Sequence, residues 1–409
     1  MASVSKRGDS YRVVWRDKQG NQKQQTFARR RDADARRAEV EVELRTGKYV
    51  DPRHARSTLE TQWEAWTKHR RVSEARKSLE ASLWRKHLQP RWGDVRLEDV
   101  DYEAAQAWVN DLAERMSPAH VRSCHLLLCG LLDAAVRGQR LGNNPVRLVK
   151  VRTAPRAPIT LDDVLNAKEV AATANAVEQK RWGAFVFASA WLGWRLGEGL
   201  GIRRCDVNLL RGEVTVGRNV VEEVNGRTRL RPGAKNQAST GRVVPLPPTV
   251  ARALRHHIDK YVTDPHPEAC IFVLECGSHP SRANLLKQVL RPALARAGVS
   301  NGATMRQLGD RWLVHWHDET GAVKRETFDE QRDAEALLSR VGSRRDVDFR
   351  QLRHTAASLM LDAGVHHIDV SQRLGHARPS ITIDIYARLM PSTAAAGTDA
   401  IEAAIKAAQ

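Results

Sequence analysis

Several widely separated residues in this chain are of the types that hold and attack an anionic ester. Leu374-Gly375-His376 is followed ten residues later by Tyr386, in a chain with only five tyrosines. Upstream, DVDFRQLRHTAASLMLDAGV carries Arg350 and Arg353, which fall one turn apart on one face of a helix expected to start at Asp348 and stop at Gly364. Leu352, Leu359 and Met360 are expected to bury the opposite side. Much earlier, Arg195 follows a glycine in FASAWLGWRLGEGLGIRRCDV, read as an otherwise apolar helix in which an unpaired charge is costly. Between them, RLRPGAKNQASTGRVVPLP reads as two strands around a Gly/Asn/Ser-rich turn, with Lys235 near the tip. Guanidinium groups grip oxyanions through forked N–H donors, and phenol, imidazole and ammonium groups attack or exchange protons. Singly, each residue has a blander reading. Tyr386 fits an amphipathic residue on a helix surface, His376 a polar residue in a turn, and Arg195 a solvated or salt-bridged arginine.

Composition narrows the partner. The chain has 409 residues, enough for two or three domains, and 66 Lys+Arg against 48 Asp+Glu give it a net charge of +18. The cations are interspersed with acids and do not form one tail, which favours a folded nucleic-acid-binding protein over a basic arm. A membrane is the poorer partner, because the longest nearly uncharged apolar run, GAFVFASAWLGW, is too short to span one. MASVSKRGDSYRVVW has no apolar core of a secretory signal. Five cysteines, odd in number and without a CxxC pair, read as reduced thiols of a cytoplasmic protein.

The elements that must position these residues fall into four segments. The first, to about residue 50, alternates around Gly20 and then turns helical to Gly47, as a hairpin or three-stranded sheet followed by a helix does. The second, 57–152, is helical, broken at Pro90 and Gly93 and ended by Asn143-Asn144-Pro145. A proline-containing linker, VRTAPRAPIT, leads to the third, 160–395, and a short Ala-rich tail, 396–409, reads as a helix from Thr398. The expected fold class is multidomain α+β, with the third segment mainly helical around a small β-hairpin sheet.

One stretch occurs twice. GDSYRVVWRDKQGNQKQQTFARRRDADA from Gly8 returns as GDRWLVHWHDETGAVKRETFDEQRDAEA from Gly309, at a constant offset of 301 with 13 of the 29 positions from Gly8 to Arg36 identical. The insert 302–343 is therefore expected to repeat the fold of the N-terminus. The copies differ in charge: residues 1–42 hold 11 Lys+Arg against 6 Asp+Glu, and residues 302–343 hold 6 against 8. A sheet in a DNA groove needs cations facing phosphates. The first copy suits that task, and the second reads as a structural or protein-contact insert, although Arg311, Lys324 and Arg325 are available to one face.

Taken together, the motifs resemble the tyrosine recombinases, and the phage-type integrases in particular. Gly193-Trp194-Arg195-Leu196-Gly197-Glu198 matches that family's G-x-R-x-G-E pattern, Leu352-Arg353-His354-Thr355 its L-R-H-T, and His376 with Tyr386 its L-G-H and nucleophile. Lys235, ahead of Val244-Pro245-Leu246, stands where the family has its hairpin lysine. The second segment resembles the core-binding domain, and the first an AP2-like arm-binding domain. Arg350 departs from the pattern, because most members have histidine there. Arginine stays protonated and cannot exchange a proton near neutral pH.

The resemblance implies a role for each residue. Tyr386 attacks a DNA phosphodiester and becomes a 3′-phosphotyrosine, Arg195 and Arg353 hold the non-bridging oxygens, and Lys235 protonates the leaving 5′ oxygen. His376 donates a hydrogen bond, and Arg350 adds a cation. It implies no metal and no cofactor; His315 with His317, and His366 with His367, lack a third ligand. It further implies double-stranded DNA with core and arm sites, a homotetramer, a Holliday junction, and accessory DNA-bending or directionality proteins, in a bacterial or phage protein of the nucleoid. The expected function is integration, and excision, of a mobile element. A DNA-binding repressor or architectural factor of the same ancestry, without strand transfer, is the alternative that Arg350 favours. A type IB topoisomerase has no need of an arm-binding sheet. The 11 tryptophans read as packing residues, with Trp63, Trp66 and Trp84 on apolar helix faces.

Overall fold

The computed structural model describes residues 2–16, 20–46, 49, 55–152, 159–160, 163–223, 226–233, 239–342, 345 and 347–387. Lys235, most of the linker and the tail helix expected from Thr398 lie outside the described residues. The chain divides into two compact units, Met1–Pro155 and Arg156–Gln409.

The first unit begins with an antiparallel sheet of β1 (Ser3–Arg7), β2 (Ser10–Arg16) and β3 (Gln22–Phe27), followed by α1 (Arg30–Thr46). Alternation along β2 sends Val13 and Trp15 into a small core with Ala33, Val40 and Tyr49. Next come the helices α2 (Leu59–His69), α3 (Glu74–Leu83), α4 (Gln89–Trp92), α5 (Tyr102–Arg115) and α6 (Pro118–Arg137), around a core of their own. Trp84 is buried in that core with Trp63 stacked on it, as expected for packing residues. Pro90 does not break the helix. A π-helical turn, Trp84–Leu88, precedes it, and the Gln89 N–H reaches back to the Trp84 carbonyl. That wider turn takes up the proline, and the helix ends beyond it at Trp92. Helix α6, not the run near Trp182, is long and apolar enough to cross a membrane by length and composition, and its apolar face (Val121, Leu128, Leu132 and others) is buried in the helical core.

The second unit contains α7 (Ala167–Asn175), α8 (Gly183–Leu192), α9 (Leu196–Leu200) and α10 (Pro248–Tyr261), which share a core with two small sheets. One sheet pairs β4 (Val207–Asn208), β5 (Glu213–Val216) and β8 (Arg242–Pro245); the other pairs β6 (Arg218–Glu222) with β7 (Thr228–Pro232). This corrects the hairpin expected around Lys235. Its two flanking strands are formed, but β7 pairs with β6 and β8 with β5, so they belong to different sheets. Then come α11 (Arg282–Leu285), a second π-helical turn (Leu286–Leu290) and α12 (Arg291–Arg296), again with a proline, Pro292, just after the π turn.

The insert forms β9 (Thr304–Leu308), β10 (Arg311–His317), β11 (Val323–Phe328) and α13 (Gln331–Val341). Its register repeats that of the N-terminal sheet residue for residue at the same offset. Tyr11 faces Phe27 as Trp312 faces Phe328, and Ser3 faces Val14 as Thr304 faces His315. The unit closes with α14 (Phe349–Asp362), α15 (His367–Leu374) and α16 (Ser380–Tyr386).

The two sheets use their second faces differently. In the first copy the face away from α1 carries Arg7, Arg12, Arg16, Gln22 and Gln24, largely exposed. At the matching positions the insert has Leu308, Leu313, His317, Val323 and Arg325. Leu313 and His317 are buried at a cleft walled by Leu286 and Arg291. A polar sheet face has become, in part, a packing face.

Candidate active site

Helix α8 ends at Gly193 in the left-handed conformation, φ +64°. A Cβ there would lie 2.5 Å from Leu374 Cδ2 and 3.1 Å from Ala356 Cβ, so both the turn and the packing require glycine. The turn puts Arg195 between two helices, as the residue capping α9. It is not inside an apolar helix, as the sequence suggested. Its Nη1 donates to Glu198 Oε1 (2.6 Å) and Ser239 Oγ (2.7 Å), and its Nη2 to the Gly375 carbonyl (3.2 Å). Glu198 is completely buried and also accepts from Arg242 Nη2 at 2.6 Å. Burial works to raise its carboxyl, but Arg242 and Arg195 outweigh it and hold the group below its usual value. An ionised Glu198 thus fixes the orientation of both guanidinium groups.

Asp348 caps α14 as expected, accepting from the backbone N–H of Arg350 and Gln351. Leu352 is fully buried, whereas Leu359 and Met360 are only partly so. Arg353 is almost buried, and its Nη1 donates to the Gly193 carbonyl at 2.7 Å, tying α14 to the end of α8. Burial, reinforced by Arg195, pushes the Arg353 guanidinium down to about 9, still protonated at neutral pH. Arg350 is exposed at the cavity rim, and Asp348 is ion-paired with Arg282 at 2.7 Å.

His376 follows Gly375, which ends α15 in the left-handed conformation. Its Nδ1 lies 2.8 Å from Thr382 Oγ1, and burial followed by the charges of Arg353 and Arg195 pushes the imidazole down to about 4. It is therefore neutral at pH 7. Tyr386, the last residue of α16, is 1% exposed, and its hydroxyl lies 2.5 Å from His354 Nδ1.

Arg195, Arg350, Arg353, His354, His376 and Tyr386 all line one cavity of about 650 Å³. Five of the six predicted site residues are therefore brought together, and the sixth, Lys235, is outside the described residues. Glu198, Arg242, Ser239, Thr382 and His354 were given no role from the sequence. Glu198 and His354 stand inside quoted motifs, where a buried acid three residues after an arginine was a usable signal. Arg242 and Thr382 carry none. Chemically, the cavity offers several cations to an anionic group, beside a phenol whose hydroxyl already meets an imidazole nitrogen.

The phage integrase family model matches residues 164–392, and the chain belongs to that family, the tyrosine-type site-specific recombinases. It is 27% identical over 310 residues to a prophage phiRv2 integrase of Mycobacterium tuberculosis (strain CDC 1551 / Oshkosh), covering 69% of this chain and 78% of that protein. Against the integrase of Mycobacterium phage D29 it is 24% identical over 252 residues, 59% of this chain and 63% of that protein. Among solved structures, the Tn1549 transposon integrase in complex with circular intermediate DNA aligns with a TM-score of 0.58 at 14% identity, over 84% of this chain and 100% of that one. A lambda integrase tetramer bound to a Holliday junction aligns with a TM-score of 0.50 at 16% identity, over 93% and 95%. These structural likenesses bear on the fold, which shares with them its many helices and small sheets.

Proposed function

We propose that this chain cleaves and rejoins DNA through a 3′-phosphotyrosine, integrating and excising a mobile element. The observation that carries the proposal is that Tyr386, Arg195 and Arg353, from three separate parts of the chain, line the same cavity. A phosphodiester there is held through its non-bridging oxygens by the guanidinium groups of Arg195 and Arg353. The Tyr386 oxygen forms a bond to phosphorus as the bond to the 5′ oxygen breaks. His354 Nδ1 accepts the phenolic proton, and Lys235 supplies one to the leaving oxygen. His376, kept neutral, turns its Nε2–H to the phosphate when the Thr382 hydroxyl donates to Nδ1. Arg350 contributes charge but no proton transfer. The phosphotyrosine conserves the bond for rejoining, so no external energy source is needed.

Residues 1–50 are assigned to arm-site binding by an AP2-like sheet, 57–152 to core-site binding, and 160–395 to catalysis, with the tail 396–409 available for subunit docking. The solved lambda integrase, a tetramer bound to a Holliday junction, supports assembly as a tetramer on two duplexes. The test is covalent trapping on nicked attachment-site duplexes, drawn from the flanks of the source element or from random pools. The wild-type chain should give a metal-independent protein–DNA band that is absent with Tyr386→Phe. Tight binding by wild type without any band would reject catalysis and leave the repressor reading, with Arg350 as the first suspect.

A further inference from the structure

The insert 302–343 carries a net negative charge, yet its cations are unevenly placed. A cleft of about 430 Å³ separates the outer face of its sheet from the helical segment 282–296. Lys287 and Arg291 line one wall, Arg306, Arg325 and His315 the other, and none of the lining residues is acidic. Two cations of the same sheet outside the cleft are neutralised, Arg311 by Asp329 and Lys324 by Asp318. Lys287, Arg306 and Arg325, by contrast, make no ion pair among the described residues. Positive charge is concentrated enough here that burial, together with Arg291 and Arg306, pushes the His315 imidazole below its usual value. At the inner end His317 is buried with its Nε2 unpartnered. Such a concentration of like charge is stable only where an anion or solvent compensates it.

We propose that this cleft holds the sugar-phosphate backbone of duplex DNA, with Lys287, Arg306 and Arg325 as its cations, so that the insert extends the DNA-binding surface beyond the reaction cavity. The inference rests on the recombinase reading. The occupant follows from continuity, because α11 opens with Arg282, which lines the reaction cavity, and the same helical segment carries Lys287 and Arg291 into the cleft. At about 1.5 Å per residue, Arg291 lies roughly 14 Å along from Arg282. With a phosphate every ~3.4 Å of axis on each strand, a duplex in the cavity reaches the cleft within about four base steps. The mode of binding differs from that expected of the N-terminal sheet. The face that there presents Arg12 and Arg16 here has Leu313 and His317 packed inward, leaving cations at the rim to meet phosphates and none to read bases.

The test uses the full chain and a random-sequence duplex of about three helical turns, with binding followed by fluorescence anisotropy from about 50 to 200 mM salt. Each lost phosphate contact lowers the slope of log K against log salt by about 0.9 on duplex DNA. Arg306→Ala with Arg325→Ala should lower it by about 0.9 to 1.8, while Arg306→Lys with Arg325→Lys keeps the wild-type slope. Arg311→Ala removes one cation from the same sheet outside the cleft and should leave the slope unchanged. Equal thermal midpoints for all variants confirm folding, as expected for exposed positions. A double-alanine slope no different from that of Arg311→Ala, with the Tyr386 covalent band still forming, would overturn this inference alone. Failure of the wild-type chain to bind the duplex would overturn it together with the recombinase reading.

Discussion

The hydroxyl of Tyr386 sits against His354, not in open solvent, and this sets what the tyrosine does at rest. In the proposed reaction the tyrosine attacks only as its proton passes to a neighbour. His354→Ala should therefore slow formation of the covalent band by about 10²-fold or more, and added imidazole should restore part of the rate. A merely structural histidine would give a loss that imidazole does not repair. His376 lends itself to a second measurement, on stability. Its folded-state value of about 4 lies below the ordinary 6.5, so as pH falls the unfolded chain binds the proton first. The stability it contributes is complete above about pH 6.5 and is lost as pH falls toward 4. Urea midpoints of the wild type should fall more steeply across that window than those of His376→Gln, and parallel curves would refute the depressed value.

At the scale of elements, the cavity around Tyr386 depends on the Gly193 corner. That residue turns the chain from α8 to α9, accepts from Arg353 through its carbonyl, and lies against Leu374, two residues before His376. Gly193→Ala imposes a left-handed alanine and a clash, with an expected cost of about 2–4 kcal/mol. Gly217→Ala, where a Cβ would meet nothing within 4 Å, should cost well under half as much by the same denaturant measurement. Much of this geometry was legible in the sequence. The motifs around Arg195, Arg353, His376 and Tyr386 hold local spacing that survives folding, and Asp348 and Gly364 bound α14 as read. That β7 pairs with β6 and β8 with β5 was not legible, since a strand's alternation is the same whichever neighbour it takes. Nor was the toleration of Pro90, which depends on a π turn that leaves no mark in hydrophobic periodicity. The Glu198–Arg242 contact joins residues 44 apart and exists only once the sheet has formed.

At the scale of the molecule, the buried apolar cluster of the second unit draws on residues from Leu165 to Leu352 and includes none from the first. A fragment of residues 156–409 should therefore fold by itself, with a cooperative thermal transition seen through Trp182 and Trp194, which are buried in that cluster. A broad, non-cooperative melt would show that the first unit is needed to complete it. The doubled sheet carries a further consequence for the nascent chain. Two copies with the same register are mutually compatible templates, and β2, emerging from the ribosome long before β9 and β11, is open to capture by them in an exchanged arrangement. The exchange would put the Arg12 and Arg16 face where Leu313 and His317 now lie buried, taking two guanidinium groups out of solvent without a carboxylate to pair with. The divergence between the copies thus disfavours the exchange, each sheet bearing residues that make it a poor substitute for the other.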